Sequence, residues 1–146
     1  MDYNLTISVK ASPQHAFDCI NDVQGWWTEN LTGKSVKLND EFTVKFGDVH
    51  ISTQRLVECV PGKKVVWLVT ASKLNFIENT GEWTGTRISF EIINNNDKTE
   101  LRFTHYGLNP NVECYEACSN AWGPYIQQSL KSLINTGEGN PTKKDL

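Results

Sequence analysis

Two histidines, His50 and His105, and the carboxylate Glu58 are the residues of this chain best suited to move a proton near neutral pH. An imidazole titrates in that range and burial can raise a carboxylate toward it. A histidine pair, or one histidine with Glu58, could therefore serve as acid and base in an aldol-type cyclisation or a hydrolysis. Neither histidine carries a local signature, so the same residues also read as a hydrogen-bonded core histidine (His105) and a turn-proximal one (His50). Cys114 and Cys118 raise a second question, because their i, i+4 spacing puts both on one helix face, with His105 a short loop upstream. A structural zinc needs four ligands, usually with two residues between paired cysteines. Parallel Cβ vectors on a helix disfavour a disulfide. Buried free thiols are the better account, and no metal is expected. The chain has no phosphate-cradling glycine loop, no Gly-x-Ser-x-Gly elbow, no His-Glu-x-x-His and no Cys-x-x-Cys. Most hydrolase, kinase and dehydrogenase chemistries lack support, and no cofactor is expected.

The elements that must position these groups belong to one domain, since 146 residues bury a sufficient core without staples. Fourteen basic against seventeen acidic residues leave a net charge of -3, which argues against nucleic acid or an anionic membrane as partner. No apolar run reaches the ~18 residues of a membrane span. Met1-Asp2-Tyr3-Asn4 is no secretory leader, so a cytoplasmic protein with four reduced cysteines is expected. The unusual component is aromatic: five Trp, six Phe and four Tyr. So many rigid rings either pack a dense core or line a cavity for an apolar ligand.

Tyr3, Leu5, Ile7 and Val9 alternate with polar residues, predicting a half-buried strand. Ser12-Pro13 offers a hydroxyl cap and an N1 proline for a short helix ending near Asn21-Asp22, and Val23 to Trp27 a further turn or second short helix. Strand patterns then fill Val36 to Leu108, with turn signals at Gly47-Asp48, Pro61-Gly62-Lys63 and Asn94 to Asp97. Short connections imply an antiparallel meander. Asn109-Pro110 is read as the start of a long C-terminal helix with Val112, Tyr115, Ser119, Trp122, Ile126, Leu130, Leu133 and Ile134 on one face. Gly123-Pro124 predicts a bend or two abutting helices. Residues 137–146 read as a loose tail beyond a core of about residues 3–136.

The fold class is thus α+β. In detail the chain resembles the helix-grip fold of the SRPBCC superfamily, which includes START lipid-transfer domains, pollen-allergen-like proteins and polyketide cyclases. It looks most like the family named for homology to the heat-shock-protein-90 ATPase activator. The resemblance rests on Ala11-Ser12-Pro13 with Phe17, Trp26-Trp27, Pro61-Gly62-Lys63-Lys64-Val65-Val66-Trp67, Thr99 to His105, and Trp122 with Ser129 to Leu133 and Thr136-Gly137. It implies a curved antiparallel sheet of about six or seven strands wrapped around the C-terminal helix, with two short helices after the first strand. It also admits a chaperone-interacting module, although nothing here corresponds to that activator's additional N-terminal domain.

One helix crossing a wide curved sheet does not touch all of its concave face, so a cavity is expected between them. Strand parity turns Phe42, Phe46, Trp67, Phe90, Phe103 and His105 inward, and Trp122, Tyr125 and Ile126 face them from the helix. Trp26 and Trp27 are expected at the mouth, and Phe76 and Trp83 complete the candidate ligand-binding set. The expected partner is a small hydrophobic molecule; strand edges allow a homodimer without demanding one. Catalysis by His50, His105 and Glu58 is the alternative, and it requires at least two of them to converge on one void.

Overall fold

The computed structural model of the protein describes residues 1–144. The alternating segment forms β1 (Tyr3–Val9), and Ser12 caps α1 (Pro13–Asn21) by accepting the His15 N–H at 3.1 Å. A second short helix, α2 (Val23–Trp26), follows directly. The sheet continues with β2 (Leu31–Gly33), β3 (Glu41–Phe46), β4 (His50–Val60), β5 (Lys64–Leu74), β6 (Arg87–Asn95) and β7 (Lys98–Tyr106). The order is β1-β7-β6-β5-β4-β3-β2, and every pair is antiparallel. β2 gave no signal because three residues are too few to show a period.

The register sets which side chains share the concave face. Phe90 pairs with Phe103, Ile88 with His105 and Ile92 with Leu101, and all six are buried. Irregularities at Thr53/Gln54 and Leu56/Glu58 interrupt the β4–β5 ladder. Such bulges bend long strands and increase their twist, which curves this sheet around the helix.

The C-terminal helix departs from expectation at its start. It begins at Tyr115 rather than Pro110, as α3 (Tyr115–Pro124). The preceding backbone is held elsewhere: Glu82 accepts the N–H groups of Glu113 and Cys114, both at 2.9 Å. Past Pro124 the helix neither breaks nor restarts. A π-helical stretch (Tyr125–Leu130) and α4 (Lys131–Thr136) continue it in right-handed geometry, so residues 115–136 form one rod. Proline removes an N–H and crowds the carbonyl one turn back, and wider π turns directly after it accommodate that defect.

The tail is not loose over residues 137–144. Gly137 closes α4 in the left-handed region, at φ 88°. The chain then folds back along the segment after α2: Thr142 donates to the Trp27 carbonyl at 3.0 Å and accepts from Glu29 at 2.8 Å, a parallel β-bridge to Thr28. Asn140 N–H meets Ser129 Oγ at 2.7 Å, and Tyr125 shares a 2.5 Å hydroxyl contact with Thr142. Residues 145–146 of the expected tail lie outside the described residues. Glycine is required at 139, where a Cβ would stand 2.1 Å from the Gly25 carbonyl oxygen. Gly139→Ala is expected to cost about 2 kcal/mol by overpacking. Denaturant melts and limited proteolysis of the tail check this; an unchanged midpoint with an equally protected tail contradicts it. Among the described residues, no helix is long and apolar enough to cross a membrane.

Candidate functional site

All five tryptophans join in one stack that runs from the centre of the core to the surface. Trp67 lies against Trp26 (6.2 Å between centroids) and Trp27 (5.7 Å); Trp27 stacks on Trp122 (5.0 Å), and Trp122 on Trp83 (5.9 Å). The inner end is solid. Trp26, Trp67, Phe42, Phe90, Phe103 and Ile126 are fully buried, and the three phenylalanines pack edge to face or tilted around the stack. None of these six lines the cavity at the outer end. Trp26, expected at a mouth, is instead core: its indole N–H donates to the Ile20 carbonyl at 3.1 Å and its ring packs against both Trp27 and Trp67.

A cavity of about 190 Å³, open on one side to solvent, lies at the outer end of the stack. Trp27, Trp83 and Trp122 form its floor. Phe46, Val49 and His50 close it from the β3–β4 hairpin, Phe76 from the β5–β6 loop, and Ala117, Cys118, Ala121 and Tyr125 from the helix. Of the residues expected to bind a ligand, Trp27, Phe46, Phe76, Trp83, Trp122 and Tyr125 line this cavity. Val49, Ala117, Cys118 and Ala121 were not legible as lining residues. The signal for the helix wall was available in retrospect: two alanines on one face supply little bulk where a leucine would fill the gap. Known ligand pockets run from about 300 Å³ upward, so this one suits a molecule smaller than a typical drug.

The histidines divide into a structural one and a lining one. His105 is fully buried, and both of its ring nitrogens are engaged. Trp122 Nε1, which can only donate, points at His105 Nδ1 at 3.1 Å; His105 Nε2–H must then donate to Thr86 Oγ1 at 2.9 Å, and the Thr86 hydroxyl in turn donates to the Trp83 carbonyl at 2.6 Å. The ring is neutral, and burial pushes its pKa down to about 3. His50 is half-buried at the cavity wall, edge-on to Trp83 at 4.8 Å and beside Trp27 and Phe46. Burial lowers its pKa to about 4. His50 Nε2 meets Ser52 Oγ at 2.8 Å, but Ser52 is buried and does not border the cavity, so the pair orients the ring.

Glu58 does not join them. It is exposed near the far end of β4 and pairs with Lys64 at 3.3 Å, a surface contact worth under about 1 kcal/mol. The convergence required for acid–base catalysis is absent: of the three groups only His50 borders the cavity, and His105 has no nitrogen free for a substrate. Gln54 is likewise within the core, opposite Phe42 on β3.

Two carboxylates join the loop and helix sides of the cavity. While Glu82 accepts the N–H groups that precede α3, Glu113 reaches back to accept those of Glu78 (3.1 Å) and Asn79 (2.9 Å). This reciprocal clamp ties the loop that carries Phe76 and Trp83 to the helix that carries Cys118 and Trp122. Glu82→Ala removes two charge-assisted acceptors, and a loss of about 2 kcal/mol is expected. Hydrogen exchange should quicken at residues 75–85 and 109–114 while β6 and β7 stay protected; unaltered exchange at the loop contradicts the clamp.

The same architecture recurs in solved structures. An Aha1 dimer from Colwellia psychrerythraea is similar at a TM-score of 0.77 and 25% identity, over 95% of this chain and 99% of that one. The protein SSP2350 from Staphylococcus saprophyticus matches at 0.70 and 13% identity, over 98% of both chains. A putative protein of the dynemicin biosynthetic locus matches at 0.66 and 13% identity, over 93% of this chain and 48% of its own. The chain has a helix-grip fold. No family profile and no curated sequence matches it. At such identities the helix-grip likeness to the latter two structures carries architecture alone, and chemistry rests on the residues described above.

Proposed function

We propose that this helix-grip protein binds a small hydrophobic molecule, about one aromatic ring or a short branched chain in size, at the outer end of its tryptophan stack. The observation that carries this reading is the apolar cavity of about 190 Å³ walled by Trp27, Trp83, Trp122, Phe46 and Phe76, with His50 as its polar corner. A cavity of ~150 Å³ lined by apolar side chains is known to hold benzene, so the volume is adequate for one ring. A ligand of about ten heavy atoms at roughly -0.5 kcal/mol each gains about -5 kcal/mol, a Kd near 0.2 mM. A hydrogen bond to His50 would tighten it. Binding rather than turnover is supported by the occupied nitrogens of His105 and the remote position of Glu58. The free thiols fit a protein of the reducing cytoplasm.

Titration with indole, toluene or a naphthol, followed by tryptophan fluorescence and by chemical shifts of Trp27, Trp83 and Trp122, tests the proposal. Saturable changes confined to the cavity residues are expected, and Ala121→Phe should abolish them by filling the mouth. A linear, unsaturable response in a folded protein overturns the reading. The likeness to the Aha1 dimer supports a second reading, a chaperone-interacting module that pairs with a second copy of itself. Stimulation of a heat-shock-protein-90 ATPase and the sedimentation coefficient are its tests; a monomer without effect on the ATPase removes it.

A further inference from the structure

The sheet is open, and its two edges differ. At one edge β2 has three residues and ends on Gly33 in the left-handed region, a poor template for another strand. At the other, β1 runs seven residues and pairs with β7 without a register shift. From Tyr3 to Val9 it carries no charge, no proline and no bulge, the devices that ordinarily blunt an edge. Alternate backbone groups of an edge strand face away from its neighbour. Tyr3 N–H donates to the Leu108 carbonyl on the β7 side, and Lys10 N–H turns the other way, to Asn135 Oδ1 at 2.9 Å. That parity points the N–H and C=O groups of Asn4, Thr6 and Ser8 outward. Among the described residues no backbone hydrogen bond joins these three to anything beyond the sheet, and all three residues are exposed.

We propose that β1 is the self-pairing edge of this protein: two copies join their sheets antiparallel about a two-fold axis at Thr6. The strand is self-complementary in that register. Asn4 stands opposite Ser8 of the second copy, and Thr6 opposite its own counterpart. All three outward-facing residues then exchange hydrogen bonds, about six in total, two from each opposed pair. On the other face half-buried Leu5 meets Ile7 of the second copy, and half-buried Tyr3 meets its Val9. At both ends Asp2 faces Lys10 of the second copy, and among the described residues neither forms an ion pair within the chain. Asn109 Nδ2 donates to Asp2 Oδ1 at 3.3 Å and holds that carboxylate in place. Neighbouring registers do less. With the axis at Ile7, Asn4 would oppose Lys10, whose N–H Asn135 already holds, and Asp2 would meet no cation. With the axis at Leu5, Lys10 would lie beyond the paired strands. This inference rests on the self-pairing half of the second reading above, to which it adds the surface and the register.

Sedimentation and amide hydrogen exchange of the full chain, between about 10 µM and about 1 mM, test it, since so small a contact forms a reversible dimer. The amides of Asn4, Thr6 and Ser8 should exchange several-fold more slowly as the dimer fills, while those of Leu5 and Ile7 stay slow throughout. Thr6→Lys, at an exposed position, sets two like charges at the axis and should weaken dimerisation at least about tenfold without lowering the monomer's melting midpoint. Asp2→Lys alone and Lys10→Asp alone should each weaken it about fivefold, and the two together should restore it. That rescue is specific to the register, so its failure overturns the register proposed. A dimer that survives Thr6→Lys, with Asn4, Thr6 and Ser8 exchanging freely at every concentration, overturns the edge and leaves the self-pairing reading standing. A chain still monomeric at about 1 mM overturns both.

Discussion

Acidification from pH 6.5 to 4 will remove on the order of 5 kcal/mol from the stability of this protein, roughly 3 from His105 and about 2 from His50. Both rings have folded-state pKa values below the ordinary 6.5, at about 3 and about 4, because burial penalises their charged forms. Above about pH 7.5 neither state binds a proton appreciably at these sites, and stability is at its full value. Below it the unfolded chain takes up protons that the native protein refuses. Each histidine then costs up to ~1.4 kcal/mol per pH unit until its folded pKa is reached. Domains of this size have about 5–15 kcal/mol in total, so acid unfolding near pH 4 is expected. Urea midpoints measured at half-unit intervals check it. His105→Gln keeps an acceptor for Trp122 and a donor for Thr86 while abolishing titration, so it should flatten more of the slope than His50→Gln. A midpoint constant between pH 6.5 and 4 would contradict the neutral, buried rings.

Trp26→Ala is expected to cost about 4 kcal/mol, the other large effect. The ring is fully buried against Trp27 and Trp67 and meets Phe90 edge to face at 5.9 Å. Its removal opens a cavity at the inner end of the tryptophan cluster, and the rigid indoles of Trp27 and Trp67 beside it cannot close it. Trp83→Ala, at the outer end, should cost less stability but loosen the cavity floor, since Trp83 touches both His50 and His105 edge-on. Guanidinium melts order the two variants. If Trp83→Ala proved the more damaging, the stack would not be anchored from the core.

These expectations rest on features that the sequence announced unequally. Strand alternation at Tyr3–Val9 and across the Phe90 and Phe103 strands was explicit, because a period of two survives in any antiparallel sheet with one buried face. The Ser12-Pro13 start of α1 is local chemistry and needed no tertiary information. The start of the last helix did not follow from Asn109-Pro110, since Glu82, some thirty positions upstream, competes for the N–H groups that a helix would use. The docked tail was equally illegible: Gly139 looks like a flexible residue until Gly25 is seen beneath it.

For the site, the aromatic content was a correct sign that rings matter, but not of where they leave space. Trp26 and Trp27 are adjacent in sequence, yet one belongs to the core and the other to the cavity wall. The same holds for the histidines. Their residue type marks them as proton carriers; only the indole of Trp122 and the hydroxyl of Thr86 make His105 a fixed neutral support.

What the sequence determined by itself was the order of elements, their amphipathic faces and hence an α+β sheet gripping a helix, because these follow from short-range periodicity and capping. Where the packed rings stop and the hollow begins, which thiol meets it and which histidine is free were decided only by tertiary structure. Those outcomes depend on residual volume and on donor–acceptor pairing between segments far apart in the chain, quantities no local pattern encodes.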